Sequence, residues 1–235
     1  KVVSVEFDGY EDVYNGTVDD FHNYYVGGFE SLIGQDKFYC SVNVKNCSEQ
    51  PLLPYESCVL GSINLSKFVS RDKKIMYDDL KMSVNSAVRF LDNVVDANDY
   101  PLPEIEKMSK GNRKIGLGVM GWADMLFQLG IPYNYEEATV LAKGVMKVIQ
   151  VQAVISSEEL AREKGKFSNF DKSIFKERLD RRNATLTTIA PTGTIAMIAG
   201  CSGGIEPLFG IAYVKKNVLN GKEFYEVSKH FEDVL

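Results

Sequence analysis

From about Tyr77 to Leu160 the apolar residues return every three or four positions, a rhythm that rules out an all-β chain. Leu80, Val84, Ala87, Val88, Leu91, Val94 and Val95 form one stripe, Met120 to Leu129 a second, and Ala138 to Leu160 a third, as in helices that bury one face. Pro101-Leu102-Pro103 is predicted to break the first helix and Gly130-Ile131-Pro132 to end the second, because proline lacks an amide proton and glycine accepts the left-handed backbone of a helix end. Thr185 to Ile189 and Thr194 to Ile198 are β-branched runs on either side of a Pro-Thr-Gly turn, which predicts a buried strand feeding a loop. Long helices mixed with such strands predict an α/β body. The glycines from Gly116 to Gly121 lack the spacing of a dinucleotide loop and predict tight packing at a helix start. Arg181-Arg182 reads as a solvated turn pair, and Trp122 with Phe127 as a core face.

Residues 1–46 have a different texture. Val2-Val3-Ser4-Val5-Glu6-Phe7, Val13-Tyr14 and Phe38-Tyr39-Cys40-Ser41-Val42-Asn43-Val44 are short alternating runs divided by Gly, Asp and Asn, the pattern of strands and turns in an all-β unit. The expected division is therefore a β-rich head, 1–46, and an α/β body, 47–235. With 235 residues and 45% hydrophobic content, the chain can bury the core of one large or two smaller domains.

A formal charge of −5 excludes the bulk electrostatic footprint of a nucleic-acid or anionic-membrane binder. No apolar run approaches the roughly 20 residues of a membrane span, and no signal peptide is recognisable, so the expected compartment is the cytoplasm. Cys40, Cys47, Cys58 and Cys201 then read as reduced thiols. No C-x-x-C occurs and the histidines are His22 and His230 alone, so no zinc spacing is present and no metal is expected. A chain opening on Lys1 reads as a piece of something longer.

Two kinds of chemistry meet at Asn46-Cys47. An asparagine followed by a thiol can cyclise onto its own peptide bond while the thiol carries an acyl group, provided that the amide is oriented and the carbonyl polarised. Val13-Tyr14-Asn15-Gly16-Thr17-Val18-Asp19-Asp20-Phe21-His22-Asn23-Tyr24-Tyr25-Val26-Gly27-Gly28 resembles the penultimate block of inteins, and Val42-Asn43-Val44-Lys45-Asn46-Cys47 resembles the last block with the first downstream residue. The resemblance implies a Hint-type β fold for residues 1–46, His22 as the acid/base, Asn46 as the cyclising residue and Cys47 as the acyl acceptor. Lys45 stands where inteins commonly carry His. It also implies that the upstream half of the protein is the splicing partner.

Read forwards, Cys47-Ser48-Glu49 with Cys58 eleven residues on offers two thiols and a carboxylate. Cys47-Ser48-Glu49-Gln50-Pro51-Leu52 through Leu60-Gly61-Ser62-Ile63-Asn64-Leu65 resembles the active-site segment of the large subunit of ribonucleotide reductase, most nearly the adenosylcobalamin-dependent class II. The likeness continues in Leu91-Asp92-Asn93-Val94-Val95-Asp96, Arg113-Lys114-Ile115-Gly116-Leu117-Gly118, Arg182-Asn183-Ala184-Thr185, Ala190-Pro191-Thr192-Gly193-Thr194-Ile195 and Ser202-Gly203-Gly204-Ile205-Glu206-Pro207. Val59, where Asn is usual, and Cys201, where a small non-sulfur residue is usual, depart from it.

The resemblance implies part of an α/β barrel with Cys47 on a finger loop. Cys47 would become a thiyl radical, Glu49 would take the 3′-hydroxyl proton, and Cys58 would be one of two thiols that supply electrons and end as a disulfide. Thr192, Gly193 and Thr194 would hold substrate phosphate, since a small-residue turn before a helix exposes backbone N–H groups. Implied with these are adenosylcobalamin, with no contact residues named, a ribonucleotide substrate, a thioredoxin- or glutaredoxin-type reductant and a possible homodimer.

Each residue set has a plainer reading on its own. His22 fits a hydrogen-bonded strand residue, the cysteines fit buried small hydrophobes, and Pro-Thr-Gly-Thr fits an ordinary turn. An inactive remnant that binds nucleotide or a partner, and a class I subunit served by a separate radical-generating subunit, also remain open.

Overall fold

Helices α1 (Tyr77–Ala97), α2 (Pro103–Asn112), α3 (Trp122–Leu129) and α4 (Glu136–Lys164) occupy the stretches with the three-to-four-residue rhythm. The computed structural model describes residues 23–26, 42–45, 49–208, 210–218 and 222–227. His22, Asn46 and Cys47 therefore lie outside the described residues.

The helix boundaries follow local chemistry. Pro103 opens α2 at its first turn, where its missing N–H costs nothing. Arg113, at φ 50°, closes α2 with a left-handed cap whose N–H donates to the Ser109 carbonyl. Gly130, at φ 73°, ends α3 in the same way, donating to the carbonyls of Leu126 and Phe127. In α1 the buried positions are Leu80, Val84, Val88, Leu91, Asp92 and Val95, while Met82 and Phe90 face solvent. By length and composition alone α4 suffices to cross a membrane, yet it carries a buried stripe of Ala138, Val145, Ile149, Ala153 and Leu160 with Lys143 and Lys147 exposed beside it.

The strands are short. β1 (Asn23–Val26), β2 (Val42–Lys45) and β3 (Pro51–Leu52) form an antiparallel sheet in the order β1-β2-β3, with Tyr24 opposite Val44 and Asn43 opposite Leu52. This sheet pairs residues on the N-terminal side of position 46 with residues on the C-terminal side of position 47. β4 (Val59–Asn64) pairs with β5 (Ile115–Met120). β6 (Ala212–Val218) and β7 (Lys222–Val227) make an antiparallel hairpin.

Two local expectations are revised. The glycine string from Gly116 lies mostly in strand β5, buried at all six positions, and only its last member, Gly121, stands at a helix start, as the left-handed N-cap of α3. Added at Gly116, a Cβ would come within 2.6 Å of Leu60 and 2.9 Å of the Thr188 methyl, so glycine is there because neighbouring chain approaches too closely for a side chain. The 185–189 run lies alongside β5 in parallel through a Leu117–Thr187 bridge, its N–H and C=O groups shared with Leu117. Residues 194–198 are not strand. They belong to α5 (Gly193–Ala199), entered through Thr192 at φ 56° and left through Gly200 at φ 64°; two left-handed residues eight positions apart delimit a short helix whatever the β-propensity between them.

The chain divides into two compact units. One comprises residues 1–61, 87–117 and 153–190, the other 62–86, 118–152 and 191–235.

Candidate active site

In the first unit the chain from Glu49 to Leu60 wraps a cavity of about 390 Å³, whose lining includes Glu49, Gln50, Leu53, Tyr55, Ser57 and Cys58. The volume lies in the range of small-molecule sites, and the wall mixes apolar side chains with polar and charged ones. Two of the residues singled out from sequence, Glu49 and Cys58, thus share one wall. Cys58 is half-buried.

Buried polar side chains fix this segment at both ends. Gln50 is 6% exposed, and its carboxamide Nε2 donates to the carbonyls of Thr187 at 3.0 Å and Ile115 at 3.5 Å. The Thr188 hydroxyl donates to the carbonyl oxygen of Glu49. Towards Cys58, the fully buried Glu56 carboxylate accepts from the Leu53 amide at 2.7 Å, from Asn112 Nδ2 at 2.5 Å and from Lys114 Nζ at 2.7 Å. Lys114 Nζ also donates to the Pro51 carbonyl. The Ser57 amide donates to Ser109 Oγ, and the two serine hydroxyls lie 2.7 Å apart. Glu56 is thus a paired buried charge with its lone pairs used, the condition under which such a charge is tolerated. Sequence reading missed Gln50, Glu56, Asn112, Lys114 and Thr188 as a group, because their partners lie 50 to 140 positions away.

The family-like blocks containing Asp92, Arg113 and Asn183 meet through their side chains. Asp92 is fully buried; its Oδ1 accepts from Arg113 Nε at 2.8 Å and from Asn183 Nδ2 at 2.9 Å. Arg113 adds a fork to the half-exposed Asp96, with distances of 2.7 and 2.9 Å. Burial pulls the Arg113 guanidinium down, but the hydrogen bonds to Asp96 and Asp92 outweigh it and hold the group above its ordinary value. The Arg113 bond in turn holds the Asp96 carboxyl below the usual carboxylate range, against its partial burial. Asn183 also donates to the Arg113 carbonyl and accepts from Ser157 Oγ. Arg182 is no solvated turn residue: it lies 3.4 Å from Asp92 Oδ2 and donates to the carbonyls of Lys164 and Gly165. Arg181 stacks on Phe175 at 4.3 Å, and burial lowers its guanidinium from the ordinary value.

In the second unit Thr192, Gly193 and Thr194 form the entry to α5. Thr192 Oγ1 accepts from the Gly204 amide at 2.7 Å, tying the entry to the Ser202-Gly203-Gly204 turn. The first main-chain bond of the helix runs from the Ala196 amide to the Thr192 carbonyl at 2.8 Å, which leaves the amides of residues 193–195 as the donors that a helix start cannot use itself. Asp124, 5% exposed, accepts from the Ser202 amide at 2.6 Å. Burial, helped by Asp124, pushes the neighbouring Cys201 thiol up to about 11.

Comparison with known proteins assigns the chain. The family described as ribonucleotide reductase, barrel domain, matches residues 42–181 and 176–235. A vitamin B12-dependent ribonucleoside-diphosphate reductase of Thermoplasma acidophilum is 54% identical over 188 residues, covering 80% of this chain and 24% of the relative. Its namesake in Mycobacterium tuberculosis is 49% identical over 186 residues, covering 79% and 26%. A ribonucleoside-diphosphate reductase subunit alpha of Chlamydia pneumoniae is 31% identical over 217 residues, covering 76% and 20%. The chain thus spans about a quarter of the length of the curated relatives it matches. Its buried network, its pinned cavity segment and these matches lead to one assignment: the chain belongs to the ribonucleotide reductase family and carries sequence of that family's barrel domain.

Proposed function

We propose that this chain is part of the catalytic subunit of a ribonucleotide reductase that removes the ribose 2′-hydroxyl by thiyl-radical chemistry. The observation that carries the reading is the shared cavity wall of Glu49 and Cys58, in a chain with 54% identity to a vitamin B12-dependent reductase. Cys47 abstracts the C3′ hydrogen, which suits a thiol because its S–H bond is close in strength to the sugar C–H bond. Glu49 takes the 3′-hydroxyl proton. Cys58, with a second thiol from the upstream half of the protein, supplies two electrons and becomes a disulfide, which a thioredoxin- or glutaredoxin-type protein reduces. Substrate phosphate is assigned to Thr192, Gly193 and Thr194, where the amides at the start of α5 support an anion. The active form is a cytoplasmic enzyme.

Adenosylcobalamin is the proposed radical source, supported by identities of 54% and 49% to relatives named for vitamin B12 against 31% to a subunit alpha. The described residues do not make its site: a cavity of about 390 Å³ is smaller than a corrinoid, and no histidine stands among them.

We further propose that residues 1–46 are the C-terminal part of an intein, with His22, Asn46 and Cys47 as its reacting residues. In support, the family match begins at residue 42 and leaves residues 1–41 outside it. Co-expression with the upstream half should yield a ligated product lacking residues 1–46 by mass spectrometry; no excision would remove the splicing reading and leave the reductase reading standing. The reductase reading is tested by incubating the ligated full-length protein with ribonucleoside diphosphate or triphosphate, dithiol and adenosylcobalamin. Deoxyribonucleotide that vanishes in Cys47→Ala supports it. Nucleotide binding with no turnover would favour a non-catalytic remnant.

A further inference from the structure

We infer that Gln50 and Thr188 are positioning residues for Glu49, holding the main chain that carries its carboxylate against the edge of the β5 layer. The inference rests on the reading of Glu49 as the base. Two consecutive residues are seized from one side: the Glu49 carbonyl receives the Thr188 hydroxyl, and the Gln50 carboxamide spends its donors on the carbonyls of Thr187 and Ile115. The anchor is itself immobile. Thr188 donates its amide to the Leu117 carbonyl at 3.2 Å and sets its methyl over Gly116, while Leu117 donates to the Leu186 carbonyl at 2.7 Å.

Gln50 is 6% exposed, and among the described residues its carboxamide donates to main-chain carbonyls, so it fixes chain to chain. Among the described residues no side chain or amide hydrogen-bonds the Glu49 carboxylate, so its aim depends on where the backbone is held. A misplacement of about 1 Å in a reacting group costs up to roughly 100-fold in rate. Thr188 also explains why the 185–188 run must lie in register with β5: a one-residue slip would turn its hydroxyl to the other face.

The test uses the ligated full-length protein with Thr188→Val, which removes the hydroxyl and keeps the methyl, Gln50→Glu, which keeps the shape and sets a carboxylate against the two carbonyls, and Thr188→Ser, which retains the hydroxyl. Amide hydrogen exchange is followed in the peptide covering residues 49–53, with Tyr77–Ala97 as an internal reference. Thr188→Val and Gln50→Glu are expected to accelerate exchange at 49–53 alone and to lower kcat roughly tenfold with KM within about twofold; Thr188→Ser is expected to keep both near wild type. Unchanged exchange at 49–53 in both variants overturns the inference alone, as does faster exchange with wild-type kcat. A Glu49→Gln variant that keeps wild-type kcat overturns the base assignment instead, and the inference falls with it.

Discussion

Replacing Asp92 with Asn removes one negative charge and almost no volume, at a carboxylate with no solvent contact. Its Oδ1 accepts from both Arg113 and Asn183, and its Oδ2 faces Arg182 at 3.4 Å. An amide keeps one of these acceptors and turns an NH₂ towards donors at the other. Arg113, with its side chain 5% exposed, is left with Asp96 as its carboxylate partner, and Asp96 is 49% exposed. Breaking a buried pair from one side costs about 3–5 kcal/mol, and at ~2–4 °C per kcal/mol for a chain of this size the melting temperature should fall by roughly 6–20 °C. Asp96→Asn is the internal control: its solvated side of the fork should cost under about 1 kcal/mol. Calorimetry and urea titration of the two variants and the parent decide the matter. If Asp92→Asn melts within about 2 °C of the parent, or if both variants lose the same amount, the network does not hold α1 to β5 and the 182–188 run, and the reasoning fails.

Further outcomes follow from the same geometry. Because Arg113 holds the folded Asp96 carboxyl below its unfolded value of 3.8, that group contributes stability above the unfolded value and loses it as pH falls through the lowered folded one; urea midpoints below pH 4 should therefore fall less steeply in Asp96→Asn than in the parent, and equal slopes would contradict this. Gly116→Ala drives a Cβ into Leu60 and Thr188 and should cost about 1–3 kcal/mol of overpacking, partly regained in Gly116→Ala/Leu60→Ala; full additivity of the two changes would argue against the contact. Cys201, with its thiol at about 11, should resist iodoacetamide at pH 8 in the folded protein and react only on denaturation, as peptide mass spectrometry would report.

The helices were legible because their evidence is local: one period, repeated, with Pro103 and Gly130 at the breaks. β5 was misread because two glycines hide a buried strand from any propensity argument, and Gly116 makes sense only once Leu60 and Thr188 are seen against it. Residues 194–198 have strand composition and helical backbone, since the left-handed Thr192 and Gly200 set the limits. Arg182 looked solvated beside Arg181 because nothing local reveals Asp92, 90 positions earlier. Glu49 and Cys58 were visible as chemistry, whereas Gln50, Glu56 and Thr188 were not, their roles being defined wholly by distant carbonyls and charges. The described residues give two- and three-stranded sheets with helices; the barrel itself comes from the family match.

The decisive measurement follows the hydrogen on the sugar. Ligated full-length protein is given ribonucleotide carrying tritium at C3′, with adenosylcobalamin and dithiol, and radioactivity released to water is counted alongside deoxyribonucleotide formed. Wild type should release tritium during turnover, Cys47→Ser none, and Cys58→Ser should still release it while failing to sustain reduction. Product formed by the Cys47→Ser variant, or by wild type without any loosening of the C3′ hydrogen, would contradict the account.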